Sequence, residues 1–167
     1  LNNYKELESS KNIIACLIGG DGRSSKLEVS EINSLVDKIN LISPKYTVVY
    51  CFSRRTSATT KSIIKQRKKL KHYCYNYKDK DPYWYLINKS SHFIVTEDSV
   101  SMTSDAVFTG KPVFMVKIKN KKNKIKSFVQ NLEKRSIIRY FDGEVVNWKY
   151  EKINESERIA NVIKKII

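Results

Sequence analysis

The chain has 167 residues, enough for one full α/β domain. Lys and Arg number 32 against 17 Asp and Glu, a net charge of +15 that suits an anionic partner: nucleic acid, phospholipid headgroups or a phosphorylated small molecule. A hydrophobic share of 41% argues against a disordered chain, no apolar run approaches the ~18 residues of a membrane span, and residues 1–11 lack the apolar centre of a secretory signal.

In chain order, residues 1–11 read as a linker or domain-connecting segment, and 12–167 as one domain. Residues 12–18 are apolar and predict the first strand. Gly19, Gly20, Asp21, Gly22, Arg23 and Ser24 follow at once. Three glycines in four residues let a backbone turn tightly or approach a ligand closely. Val29, Ile32, Leu35, Val36 and Ile39 then share one face of a helix over 26–39. Strand, glycine turn and helix form an arrangement that binds phosphate. The spacing is neither G-x-G-x-x-G nor a P-loop, and a tight turn without a ligand is the competing reading.

Residues 46–52 are β-branched and aromatic and predict the second strand. Ser53, Arg54, Arg55 and Thr56 follow, before a helix over 58–70. Two arginines there can grip a phosphate, with hydroxyls adding donors. The plainer alternative is a solvated basic turn capped by Thr56 or Ser57. A third strand is predicted over 72–77 and a short helix over 82–87, with Pro82 in its first turn. Tyr83 or Trp84 could stack on a flat ring at a pocket mouth. His72 and His92 open strands and read as structural.

Residues 93–116 carry the densest information. Phe93, Ile94 and Val95 are a fourth strand; Glu97, Asp98, Ser99 and Ser101 make a polar turn; Met102, Ala106 and Val107 lie at helical spacing. Gly110 and Pro112 end that helix, and 113–116 form a fifth strand. Residues 117–126 read as a basic loop, followed by a helix over 126–134, a short strand over 137–141 and a terminal amphipathic helix over 154–167. The three cysteines lie inside apolar or aromatic runs, so buried reduced thiols are expected and no metal site.

These elements sum to an α/β fold with a doubly wound parallel sheet. The three polar turns then share its C-terminal edge, which favours a phosphate-bearing ligand. Gly19, Gly20 and Gly22 would offer backbone N–H groups to a diphosphate. Arg23 with Arg54 or Arg55 would neutralise it, and Ser99, Ser101 and the helix start at Met102 would add donors.

GGDGRS after the first strand, FSRRTS after the second, and TEDSVSMTSDAVFTGKPV resemble the mitochondrial fission ELM family, in its bacterial branch. The resemblance runs from about residue 12 to about residue 161, and EDSVSM…TGKPV is its most specific part. It implies a Rossmann-like domain, the nucleotide-binding C-terminal half of a GT-B-type glycosyltransferase. An acidic residue inside the helix often holds the ribose hydroxyls in that layout. Asp105 stands there, where Glu is more usual. The implied function is nucleotide-sugar binding for transfer to a cell-envelope acceptor, with the catalytic base in an N-terminal acceptor-binding half that this chain lacks. The fragment alone would then be inactive, and neither a cofactor nor a metal is needed. The plant branch implies a non-enzymatic membrane-surface adaptor instead. The expected setting is cytoplasmic, peripheral at the inner membrane face. Lys117, Lys119, Lys121, Lys122, Lys124 and Lys126 are candidates to meet an anionic membrane. Nucleic-acid binding ranks last, because no nucleic-acid motif or aromatic interleaving accompanies the charge.

Overall fold

The computed structural model describes residues 4–20, 22, 27–76, 82–119 and 123–151. Asp21, Arg23, Ser24, Lys121, Lys122 and the helix expected over 154–167 lie outside them. The elements are α1 (Lys5–Glu8), β1 (Ile13–Ile18), α2 (Val29–Asn40), β2 (Thr47–Phe52), α3 (Ala58–Arg67) and β3 (Tyr73–Tyr75), then α4 (Tyr83–Lys89), β4 (His92–Thr96), α5 (Val100–Phe108), β5 (Val113–Val116), α6 (Asn123–Lys134) and β6 (Ile138–Tyr140). Among the described residues, six strands form one sheet in the order β3-β2-β1-β4-β5-β6. Every neighbouring pair is parallel. This is the doubly wound α/β, Rossmann-like architecture expected from the sequence. Strand order reverses between β1 and β4, so the turns after these two strands flank the switch point.

The strands read as continuous apolar runs because both faces are covered. All six residues of β1 are buried. Its odd-numbered side chains, Ile13, Ala15 and Leu17, join Leu86, Met102, Val107, Val129 and Leu132 from α4, α5 and α6. Its even-numbered side chains, Ile14, Cys16 and Ile18, join Ile32, Leu35, Val36 and Ile39 of α2 and Ile64 of α3. One-residue alternation along β1 therefore feeds two separate cores. Leu7 of α1 is buried in the first of them, so residues ahead of β1 also pack on the sheet.

Helix boundaries follow local chemistry. Ser57 accepts from the Thr60 N–H at 3.1 Å, and Ser99 accepts from the Met102 N–H at 3.3 Å. Gly110 takes φ 75° just beyond α5, the left-handed position that ends helices and suits glycine. Several boundaries differ from expectation, and two of the differences have a visible cause. α3 stops at Arg67 and not at 70, because Asn40 substitutes for the next helical bonds. Its amide donates to the Arg67 carbonyl at 2.9 Å, and its carbonyl oxygen accepts from the Lys69 N–H at 3.3 Å. α6 begins at Asn123, inside the stretch expected to be a basic loop. Ile125, Val129 and Leu132 are all buried, and this helical spacing starts within the lysines.

His72 precedes β3 and is buried beside the Tyr50 ring, 6.2 Å between centroids. Burial, with Lys69 and Lys68 nearby, pushes its pKa down to about 4. The folded chain therefore binds fewer protons than the unfolded chain between about 4 and the ordinary 6.5. Stability should fall as pH drops through that window. His72→Gln should flatten the loss, measured as denaturant midpoint against pH. An unchanged slope would mean that His72 is not buried neutral.

Candidate functional site

The turns after β1, β2 and β4 meet at the C-terminal edge of the sheet, and the glycine turn is the most constrained of them. The Gly19 N–H donates to Thr96 Oγ1 at 2.8 Å, and the Gly20 N–H donates to Asp98 Oδ2 at 2.7 Å. From the other side, Thr56 Oγ1 donates to the carbonyls of Ile18 at 2.9 Å and Gly19 at 2.6 Å. A Cβ on Gly19 would lie 1.9 Å from the Asp98 carboxylate, and a Cβ on Gly20 would lie 2.0 Å from the Arg55 carbonyl oxygen. The glycines are thus required so that two neighbouring turns can close onto β1. This corrects the expectation that the Gly19 and Gly20 N–H groups face a diphosphate. Both are already committed to side chains of β4 and its turn.

Asp98 is 5% exposed, and burial raises its pKa despite hydrogen bonds and the nearby Arg55. It serves as a buried latch and not as the helix cap, which is Ser99. Glu97 is also buried. Its Oε2 accepts from the Ile118 N–H at 3.2 Å, and it hydrogen-bonds Tyr140, so it ties the end of β4 to the segment after β5 and to the end of β6. Thr56 is buried by its two carbonyl contacts. Arg55 has its side chain exposed while its carbonyl packs on Gly20. Gly22 is half-buried in an isolated bridge.

Beside this latch lies a pocket of about 320 Å³, lined by Cys51, Phe52, Ser53, Arg54, Tyr83, Trp84, Ser99, Ser101, Met102 and Asp105. Six of the residues expected at the site converge here: Ser53, Arg54, Ser99, Ser101, Met102 and Asp105. Ser53 and Arg54 come from the turn after β2, and the others from the first two turns of α5. The Tyr83 hydroxyl donates to Asp105 Oδ2 at 2.7 Å and fixes that carboxylate at the pocket wall. Trp84 stands edge-on to Tyr83 at 5.4 Å and is 59% exposed. Sequence reasoning placed aromatics at the mouth but missed the Tyr83–Asp105 bond. It also missed Thr96, whose only outward sign is a polar residue closing an apolar strand.

The wall is chemically divided. Arg54 and the Val100 and Ser101 N–H groups, which lack intrahelical acceptors, make one part cationic; the Met102 N–H expected as a further donor is already held by the Ser99 hydroxyl. Asp105 and Tyr83 give another part a carboxylate and a phenol hydroxyl, and Trp84 adds a flat apolar face. A larger cavity of about 620 Å³ lies between α2 and the ends of β5 and β6. There Glu31 accepts from the Lys119 N–H at 2.8 Å and Lys117 Nζ sits 4.3 Å over the Tyr140 ring, so part of its polar lining is already engaged. Among the described residues, no group of His, Cys, Asp and Glu is placed to hold a metal ion.

A doubly wound sheet with a divided polar pocket at its C-terminal edge defines a Rossmann-like α/β domain. The chain belongs to the mitochondrial fission ELM1 family, whose model matches residues 2–167. It is 32% identical to Uncharacterized protein RP120 of Rickettsia prowazekii (strain Madrid E), over 98% of this chain and 49% of that protein. It is 28% identical to Mitochondrial fission protein ELM1 of Arabidopsis thaliana, over 93% of this chain and 38% of that protein. The chain therefore spans about half the length of one curated relative and about two fifths of the other.

The latch has a specific energetic consequence. At Gly19 the obstructing atoms belong to a side chain, and at Gly20 to backbone. Gly20→Ala should cost about 3 kcal/mol or more, since the backbone must move. Gly19→Ala should also destabilise, but much less in an Asp98→Ala background, whereas Gly20→Ala should stay costly there. Denaturant unfolding of wild type, the three single variants and the two double variants measures this. Equal coupling of Asp98 to both glycines would contradict the arrangement.

Proposed function

We propose that this chain is the nucleotide-sugar-binding half of a GT-B-like glycosyltransferase. The observation that carries the reading is the convergence of Arg54, the α5 N-terminus and the Tyr83–Asp105 pair on one pocket. The pocket's size is in the range of small-ligand sites. In this reading the diphosphate lies against Arg54, the Ser99 and Ser101 hydroxyls and the first N–H groups of α5. Asp105 accepts from the ribose hydroxyls, and the base lies against Trp84. Orientation along the pocket follows from charge, because a carboxylate repels phosphate and attracts hydroxyls.

Glycosyl transfer from such a donor breaks the bond between the sugar and the diphosphate. The electron pair goes to the diphosphate oxygen, and the acceptor oxygen forms the new bond. The chain's own contribution is to hold the leaving diphosphate and stabilise its charge through Arg54 and the α5 N-terminus. The base that takes the acceptor's proton would come from a part of the longer relatives that this chain does not span. The acceptor would be a component of the cell envelope.

Tyr83 fixes the shorter Asp105 carboxylate with a 2.7 Å bond. Losing a charge-assisted contact to a ribose should cost roughly 1.5–3 kcal/mol, about ten- to a hundredfold in affinity. Asp105→Asn should therefore weaken a ribonucleoside diphosphate by that factor and leave inorganic pyrophosphate unchanged or tighter. Tyr83→Phe should give a smaller loss in the same direction. Calorimetric titration of both ligands measures it. Equal losses for the two ligands in Asp105→Asn would overturn the ribose assignment.

A further inference from the structure

The opposite edge of the sheet carries a surface with different chemistry. Helices return antiparallel to the strands, so α2 and α3 both end at the N-terminal edge, away from the pocket. Two leucines mark their ends. Leu70 is 99% exposed and Leu41 is 78% exposed. They are not scattered: Asn40, next to Leu41, holds both the Arg67 carbonyl and the Lys69 N–H, so the two turns form one tip. Leu70 stands between Lys68, Lys69 and Lys71. From Lys38 to Lys78 the sequence has no Asp or Glu. Asp37, at the border of this stretch, is ion-paired with Arg67 at 2.7 Å.

A Lys-rich composition accounts for lysines anywhere, but not for fully exposed leucines among them. A solvated basic surface gains nothing from an apolar tip. A nucleic-acid surface would pair its lysines with hydrogen-bonding or stacking groups, and a leucine supplies neither. An anionic bilayer rewards both features together. Lysines are attracted to its headgroups, and a protruding leucine enters the boundary of the acyl chains. The crowding of positive charge is felt by the buried His72, which Lys69 and Lys68 push in the same direction as burial does.

We propose that the tip formed by Leu41, Leu70 and the Lys68–Lys71 cluster docks on an anionic lipid surface. The strands run away from that surface, so the ligand pocket at their far ends opens toward water. The docking is peripheral: among the described residues no helix is long and apolar enough to cross a membrane. This site is separate from the lysines of 117–126, and it stands whether or not the pocket takes a nucleotide.

The test is sedimentation of the chain with phosphatidylcholine vesicles, with and without phosphatidylglycerol. Binding is expected only to the anionic vesicles. Leu70→Ser should lower the partition coefficient by about tenfold. Lys68→Gln and Lys69→Gln should each lower it by about fivefold. Lys121→Gln with Lys122→Gln should change it little. Leu70 and Lys69 are exposed and Lys68 is half-buried, so unchanged thermal unfolding should accompany these three variants. Binding that ignores Leu70→Ser, or that follows Lys121 and Lys122 instead, would overturn the proposal. So would failure to bind anionic vesicles alongside tight binding to duplex DNA.

Discussion

The C-terminal edge depends on the absence of two side chains. Gly19 and Gly20 leave β1 with no Cβ, and the space is filled by the Asp98 carboxylate and the Arg55 carbonyl. This lets the turns after β2 and β4 close on the end of the central strand from both sides. Two committed N–H groups and two committed carbonyls make the closure specific. A buried carboxylate is costly unless donors surround it, and the Gly20 N–H at 2.7 Å is one such donor.

In the proposed function, that closure limits where a ligand can sit. A phosphate cannot use the Gly19 and Gly20 N–H groups while Thr96 and Asp98 hold them. The remaining donors lie one turn further on, at the start of α5, with Arg54 facing them across the pocket. Latch and pocket share a single polar turn: Asp98 faces the glycines, Ser99 caps α5, and Ser101 and Asp105 face the pocket. The stability of the edge and the shape of the site are thus set by adjacent residues. A substitution at Asp98 would reach the pocket through α5 without touching a ligand.

The parallel sheet was legible because the central strands are apolar runs and the turns after them are polar, so a doubly wound sheet with those turns on one edge followed from topology rules. The pocket residues from β2 and α5 were legible for the same reason. The roles within the glycine turn were not. Glycines that admit a ligand and glycines that admit a neighbouring side chain look alike in sequence, and only the 2.7 Å bond to Asp98 separates them. Nor was Tyr83 legible as the partner of Asp105, since the two are 22 positions apart and the bond exists only once the chain has folded. The start of α6 was hidden because lysines around Ile125 outweighed its apolar spacing. Family membership, which the EDSVSM…TGKPV pattern pointed to, extends over residues 2–167.

The division of the edge into a closed glycine latch and an open α5 pocket can be measured at individual amides. In a titration of the 15N-labelled chain with a nucleoside diphosphate, hydrogen exchange and chemical shift can be followed together. Gly19 and Gly20 amides should exchange as slowly as those inside β1 and shift little, while Ser101 and its neighbours in α5 shift most. Fast exchange at Gly19 and Gly20 in the free chain, with the largest shifts there on ligand addition, would contradict the account.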